Sequence, residues 1–566
     1  MGCFPPDHGQ RCSAHGRPGA LPGQAGRSQP GCPVRSGPGH TVSAWPFDDP
    51  TQGERNLSTE RIVIAGAGVA GLYAAWRLVQ AGHDPAAIEV LEAGDRVGGR
   101  LWSIQMRSDS SLPAELGGMF FNDQQPLVYG LVRKVFDLDL APVNPAPDFA
   151  WLRGKRFSIA QFADPDILPY QLRPDEQGLS YYALTMLAIE RMAPDIKQYW
   201  PYKADGSRDE SLEYLRKHRF DGRLLCDWGF WNLMARVISN EAWQALRDVV
   251  STYTLFANWN ALDAIVSIVL EQAGKWYRLV HGYQQLPEHL ATALRNAGVK
   301  VKLSSPLLSV QRSDPGGFTL HVGDGQGASQ CQADRLILAL PLMPIRQLVD
   351  RSPDLQASSL VAQLESIRAL PACKIFLTFD QPWWRDVPDG PGQIKPDTYG
   401  VSHTDLPMRQ CYYLGVDEAS GQGLVMASYA DGVAVDFWRA LAVDCGKSGQ
   451  LESPLSPGAI KEIQRELSEM HGVEVPLPTG GLFIDWAQAP FGGGWHNWQP
   501  GYQSWKIAPL MACPDPALPL HICGEAFSEA QGWTEGALAS TEAMLKSEFG
   551  LESPAWLDDA AGTPNP

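Results

Sequence analysis

Apolar positions are sparse and unpatterned before residue 58, then change character at Arg61. Ile62-Val63-Ile64-Ala65 is a short apolar run with β-branched residues, as in a strand buried on both faces. Leu72 to Ala81 carries apolar residues at helical spacing, and Gly82 is placed to end the helix. Ile88-Glu89-Val90-Leu91-Glu92 reads as a second strand. Strand, helix and strand within about 30 residues form a βαβ unit. From Pro126 to about Gly274 the pattern is mainly helical, as over 179–191 and 241–250. Strand signals then dominate at 299–303, 307–312, 318–322, 335–340, 374–379, 410–414 and 425–430. Helical spacing returns around 441–471; a buried strand follows at 521–524 and a helix from about Thr534 to Phe549.

The chain of 566 residues exceeds what one hydrophobic core usually supports. The expected fold is α/β, a dinucleotide-binding domain interleaved with an α+β substrate-binding domain. Residues 59–125, 275–345 and 480–553 are assigned to the first domain; 126–274 and 346–479 are assigned to the second. Residues 1–58, rich in Gly and Pro, are read as a disordered tail that cannot bury enough surface to offset its ordering entropy.

The net charge of −17, from 46 basic and 63 acidic residues, argues against nucleic acid and anionic membrane as partners. Ten cysteines without a CxxC pair give neither a zinc site nor a disulfide framework, and no metal is expected. No apolar run approaches the roughly 20 residues of a membrane helix; the stretch 336–345 contains Pro341 and Pro344. With no basic-then-apolar leader in view, the expected location is cytoplasmic. A homodimer is left open.

Gly66-Ala67-Gly68-Val69-Ala70-Gly71 stands between the first strand and its helix. Gly66 permits the tight turn, Gly68 lets backbone approach a pyrophosphate, and Gly71 lets the helix pack on the strand, with Ala70 beside it. The helix N-terminus offers free N–H groups to phosphate charge. Glu92, about 20 residues beyond, is placed to accept ribose hydroxyls. A lone GxGxxG is weak; with strand, helix, second strand and acid in place it indicates a dinucleotide.

Leu91-Glu92-Ala93-Gly94-Asp95-Arg96-Val97-Gly98-Gly99-Arg100 resembles the LEAxxRxGGR signature of flavin-containing amine oxidases. Glu115-Leu116-Gly117-Gly118-Met119 is similar to the segment that runs under the flavin ring in that family. So are the strands around Val301 and 335–341, and the closing pair of motifs, Gly524-Glu525-Ala526-Phe527-Ser528 and Gln531-Gly532-Trp533-Thr534-Glu535-Gly536-Ala537. The resemblance runs from about 60 to 550. It is to the monoamine oxidase / L-amino acid oxidase family, and it implies a glutathione-reductase-type fold with FAD. Ala93, Gly99, Arg100, Gly117, Gly118 and Met119 would line the cofactor, Val301 its adenine side, Gly524 and Glu525 its ribityl–phosphate region, and Trp533 and Thr534 its ring. Trp495 in Phe491-Gly492-Gly493-Gly494-Trp495-His496 occupies the place of the cysteine that attaches FAD in animal monoamine oxidases. Non-covalent FAD is therefore implied.

Lys374 lies in an apolar strand, where an unpartnered ammonium is costly. Pattern alone favours an exposed lysine at a strand edge. The resemblance assigns it instead to the lysine linked through water to flavin N5. Trp533 would form one wall of an aromatic cage, Trp495 or His496 the other, and Gly532 would offer a carbonyl to the amino group. Tyr412-Tyr413 resembles the pair in L-amino acid oxidases of which one holds the substrate carboxylate. The arginine usual after the Gly-Met of the ring segment is replaced by Phe120. Arg278 and Arg409 could supply that charge, although each alone reads as a surface arginine. The expected reaction is oxidative deamination of an L-amino acid or a related primary amine, with oxygen reduced to hydrogen peroxide. An amine or polyamine oxidase, an amino-acid monooxygenase, a flavin desaturase and a non-catalytic FAD-binding protein are the alternatives.

Overall fold

Ile62–Ala65 is apolar at every position because it is the middle strand of a five-stranded parallel sheet. The strand order is Lys300–Lys302, Ile88–Leu91, Ile62–Ala65, Arg335–Leu338, Leu520–Ile522. The computed structural model describes residues 58–558 except 108–109, 200–206, 255–256, 272–273, 315, 324–326, 388–399 and 443–450. The Gly- and Pro-rich segment up to residue 57 lies outside the described residues. Helix Val69–Gln80 packs against Gln285–Ala297 and Thr534–Phe549, which brings segments more than 400 residues apart onto one face of the sheet. This is the doubly wound dinucleotide architecture that the glycine turn implied.

An antiparallel sheet of Leu307–Arg312, Phe318–Gly323 and Ala328–Ala333 follows. Its last strand was not legible, because Ala-Ser-Gln-Cys-Gln-Ala lacks large apolar residues and is mostly exposed.

A second, eight-stranded sheet is ordered Glu452–Pro454, Gly480–Asp485, Ala372–Phe379, Gly423–Asp431, Gln410–Val416, Gly400–Thr404, Phe149–Leu152, Lys155–Ser158. Ala372–Phe379, the strand of Lys374, lies inside this sheet between two antiparallel partners and is buried at every residue. Gly480–Asp485, expected with the cofactor-binding segments, pairs with it. Helices Tyr181–Met192, Phe230–Val237, Asn240–Val250 and Ala261–Glu271 share one apolar core with residues of the sheet's far end, among them Ala150 and Phe157.

The helical reading of 126–274 is corrected at Leu140–Val143, at the short pair Arg219–Phe220 and Arg223–Leu224, and at Phe149–Leu152 and Lys155–Ser158. Arg153 and Gly154, at φ 49° and 77°, form the two-residue turn between them. Short apolar runs that pack on a sheet edge look like helix segments when read alone. Around 441–471 the helix is Pro457–His471, capped by Ser456, whose hydroxyl accepts the Ala459 N–H at 3.1 Å. Among the described residues no helix is long and apolar enough to cross a membrane.

Candidate active site

One cavity of about 850 Å³ runs from the glycine turn to a wall of aromatic side chains. At its first end lie Gly66, Gly68, Ala70, Glu92, Ala93, Gly99 and Arg100. Gly66 has φ +104°, and a Cβ there would meet the Ala339 carbonyl at 2.5 Å. A Cβ at Gly71 would lie 2.0 Å from the Gly66 carbonyl, so this glycine serves the packing of helix on turn. In front of Gly68 the space is open. The helix that begins at Val69 has neither a side-chain cap nor an acidic residue in its first turn. Its N–H groups and positive end therefore face the cavity, as a phosphate requires. Glu92 is held by the N–H groups of Ala67 and Gly94, each at 2.8 Å, and retains lone pairs for hydroxyl donors. Gly71 and Val301 lie off the cavity lining.

Gly117, Gly118 and Met119 line the middle of the cavity. A Cβ on Gly117 would fall 1.8 Å from the Arg100 carbonyl, and one on Gly118 would fall 2.8 Å from Leu101. Only glycine allows this segment to lie flat against the Gly99-Arg100 turn. Glu525 closes the opposite side. It accepts from Arg100 Nη1 at 2.8 Å, His496 Nδ1 at 2.8 Å, His496 N at 2.9 Å and Gly532 N at 2.8 Å. Burial alone would raise this carboxylate, but His496, Arg100 and these bonds hold it well below the usual range. Glu525 thus fastens three distant segments around the cavity.

Lys374 is 2% exposed. Its Nζ donates to the carbonyls of Glu115, at 2.9 Å, and Gly117, lies 3.3 Å from Met119 Sδ, and sits 4.9 Å from the Tyr429 ring centroid. Burial lowers its basicity, and the nearby Glu115 opposes this. Burial in turn raises Glu115, against bonds from Ser103 Oγ at 2.7 Å and Tyr283 N at 2.8 Å. A neutral lysine keeps two N–H groups, enough for the two carbonyls. The strand-edge alternative fails because the chain places this strand within the sheet.

The aromatic wall assembles from distant elements. Trp533, at the mouth of helix Thr534–Phe549, packs on Trp276 with centroids 5.3 Å apart. Trp495 meets Tyr429 edge to face at 6.4 Å and lies beside Gly532. Phe120 and Tyr412 are 6.0 Å apart, and the Tyr412 hydroxyl donates to Gln410 at 2.8 Å. All six rings line the cavity.

Strand alternation turns two expected residues away. His496, fully buried between Trp495 and Asn497, points to Glu525 rather than into the cavity. Tyr413 faces the opposite side of its strand from Tyr412, bonded to His471 and packed on Trp384. Arg409 is a core residue, not a surface one. It is fully buried, donates to the Arg247 carbonyl at 2.9 Å and covers the Tyr253 ring. Neither it nor Arg278 lines the cavity.

Trp276, Tyr429, Trp259, Asn497 and His403 line the cavity without having been singled out in the sequence. Tyr429 was reachable in principle, since it stands in register with Lys374 on the neighbouring strand. Away from this site, Cys513, His521 and Glu548 lie close together, with His521 Nδ1 2.9 Å from the Ala512 carbonyl. The six described cysteines are free thiols.

The glycine cradle, the uncapped helix end and the buried lysine beneath a flat backbone segment define a flavoenzyme of the amine-oxidising class. The profile of the family described as flavin containing amine oxidoreductase matches residues 69–543, and the chain belongs to that family. Its cofactor is FAD, and it is an oxidoreductase acting on amines or amino acids. Aplysianin-A of Aplysia kurodai is 29% identical over 530 residues, covering 87% of this chain and 90% of the relative. Achacin of Lissachatina fulica is 24% identical, covering 86% and 93%, and the L-amino-acid oxidase of Mus musculus is 25% identical, covering 86% and 70%. Putrescine oxidase bound to putrescine shares the fold, with TM-score 0.61, 18% identity and coverage of 87% and 99%. Cyclohexylamine oxidase from Brevibacterium oxydans IH-35A gives the same four figures.

Proposed function

We propose that the chain deaminates an L-amino acid, consuming oxygen and water and yielding a keto acid, ammonia and hydrogen peroxide. The observation that carries this reading is Lys374, buried under Gly117 to Met119 and opening onto the Trp533, Trp495 and Tyr429 wall. The L-amino-acid oxidase relatives support an amino acid over a simple amine. FAD, held non-covalently because Trp495 offers no thiol, supplies the hydride acceptor. The protein's part is to bind and orient. The aromatic faces hold an amine with its cationic form desolvated, which favours release of its proton. Gly532, at φ +87° beside Trp495, would offer its carbonyl to the amino group. Lys374 holds Gly117 in place and keeps a polar group at an otherwise apolar floor.

A second reading, a simple primary amine as substrate, is favoured by Phe120, which lines the cavity where an arginine would meet a carboxylate. A peroxide assay of the purified holoenzyme against L-amino acids, primary amines and polyamines separates the two. Peroxide from amino acids establishes the first reading, and peroxide from amines alone establishes the second. An amide product without peroxide indicates monooxygenation; no turnover by the FAD-loaded protein sinks both deamination readings. A cytoplasmic location belongs to the same proposal. The free thiols suit a reducing compartment, and fractionation of cells expressing the chain tests it.

A further inference from the structure

Lys374 and Glu115 meet at the cavity floor, although they are 259 residues apart in sequence. The link is the bond from Lys374 Nζ to the Glu115 carbonyl at 2.9 Å. The carboxyl group of Glu115 is therefore within one side-chain length of Nζ. Its two oxygens are bonded elsewhere: Tyr283 N donates to Oε1 at 2.8 Å and Ser103 Oγ to Oε2 at 2.7 Å. Ser103 is fixed in turn, because it pairs with Glu115 across two short strands and its Oγ accepts from Gln284 N at 3.1 Å. Glu115 is half-buried as a residue, but both carboxyl oxygens are engaged by these donors.

Three acceptors surround Lys374 Nζ: the carbonyls of Glu115 and Gly117 and, more weakly, Met119 Sδ at 3.3 Å. An ammonium has three N–H groups and matches them one to one. A neutral amine has two, and sets its lone pair against the third acceptor. The Tyr429 ring, 4.9 Å from Nζ, also favours the charged form. Burial opposes that charge, and Glu115 is the group that works against burial. Burial likewise raises Glu115; the Ser103 and Tyr283 bonds lower it, and Lys374 and then Arg278 lower it further. The other charges on the neighbouring strands are engaged apart from this pair. Asp431, opposite Ala372, is held by Thr252 Oγ1 and by the N–H groups of Tyr253 and Thr254. Asp485, opposite Cys373, is paired with Arg439. The Tyr283 phenol is raised by burial and stays neutral.

We propose that Glu115 is a positioning residue for Lys374: its carboxyl group, fixed by Ser103 and Tyr283, controls the charge that Lys374 carries at the cavity floor. This rests on the oxidase reading above. Negative charge that develops in the cavity as hydride is accepted is stabilised by an ammonium at the floor and not by a neutral amine. Glu115 lies off the cavity lining and acts only through Lys374, which lines it.

The test uses the FAD-loaded protein with Glu115→Gln, Ser103→Ala and Lys374→Met. Glutamine keeps both bonds, accepting from Tyr283 N and donating to Ser103 Oγ, and removes only the charge. The visible absorption band of the bound flavin is titrated without substrate between about pH 5 and 9, and kcat/KM is measured over the same range. The unsubstituted protein is expected to show a transition near neutrality, which Lys374→Met abolishes. Glu115→Gln moves it down by about one pH unit or more, because the anion that favours the ammonium is gone. Ser103→Ala moves it the same way by less, because Glu115 then ionises less readily. The matching limb of kcat/KM moves with the band. A transition that stays in place or moves up in both variants overturns the proposal, as does a flat band in the unsubstituted protein. Lost activity with an unmoved transition marks Glu115 as merely structural and overturns it as well. If Glu115→Gln does not retain FAD, Ser103→Ala decides alone. If no acid or amine is oxidised but the transition moves as stated, the oxidase reading falls and the coupling stands.

Discussion

The two ends of the cavity are built from different material. The cofactor end is backbone: Gly66, Gly68, Gly99, Gly117 and Gly118 bring main chain together where a Cβ would clash or would fill the space a ligand needs. The substrate end is side chain, with Trp276, Tyr429, Trp495, Trp533, Phe120 and Tyr412 arriving from six separate segments. Backbone approach demands glycine at fixed local spacing, so it leaves a motif. Side chains that converge from distant strands leave only a tryptophan here and a tyrosine there.

That contrast can be broken at its joint, Glu525. Glu525→Gln removes the charge that Arg100 faces while keeping the side chain's shape. It is expected to cost on the order of 3 kcal/mol of stability and to release FAD, read as visible absorbance lost on gel filtration. Lys374→Met acts on the other end alone. FAD should stay bound while kcat falls about 100-fold, measured by peroxide release at saturating substrate. A Lys374 variant that instead loses FAD with little loss of kcat per bound flavin would place this lysine with the cofactor end. Trp533→Phe keeps an aromatic face and drops the indole. A loss in kcat/KM of about fivefold or less is expected, against a larger one for Trp533→Ala, in steady-state assays with the best substrate.

The same contrast explains what the sequence revealed. The Rossmann turn, Glu92 and the flat Gly117-Gly118 segment were legible because each is one contiguous motif whose glycines have a steric reason. Tyr412 and Trp495 line the cavity, but their neighbours Tyr413 and His496 were drawn in with them. Which of two adjacent strand residues faces the cavity depends on pleat phase, and a register shift between Gln410 and Tyr412 resets that phase locally. Arg409 was read as a surface residue because its burial depends on Tyr253 and Arg247, more than 150 residues away in sequence. Trp259 and Asn497 carried no signal of their own.

The smallest effects concern pH, where buried groups of opposite sign compete. Burial lowers His403 to about 4 and His471 to about 3, so both stay neutral in the folded chain while an unfolded chain protonates them below pH 6.5. Their contribution to stability is present above pH 6.5 and is lost as pH falls toward those values. Burial raises Asp263 to about 7 and Glu466 to about 8, so the folded chain holds these protons where the unfolded chain does not. Their contribution is present below the unfolded carboxylate range of about 4 and is lost as pH rises through 7 and 8. Between about pH 4 and 6.5 the two pairs oppose each other; above 6.5 only the acids remain. Glu115, also raised to about 7, joins the acids below that pH, and Lys374, lowered to about 7, opposes Glu466 above it. Melting temperature should therefore decline gently from about pH 4.5 to 6.5 and most steeply from 6.5 to 7. Glu466→Gln should flatten the decline, and His403→Gln with His471→Gln should make stability keep rising as pH falls below 6.5. Each change is worth on the order of 1–2 kcal/mol at the extremes of its window. A decline above pH 6.5 that survives in Glu466→Gln at full size would show that this carboxyl is not protonated in the folded chain.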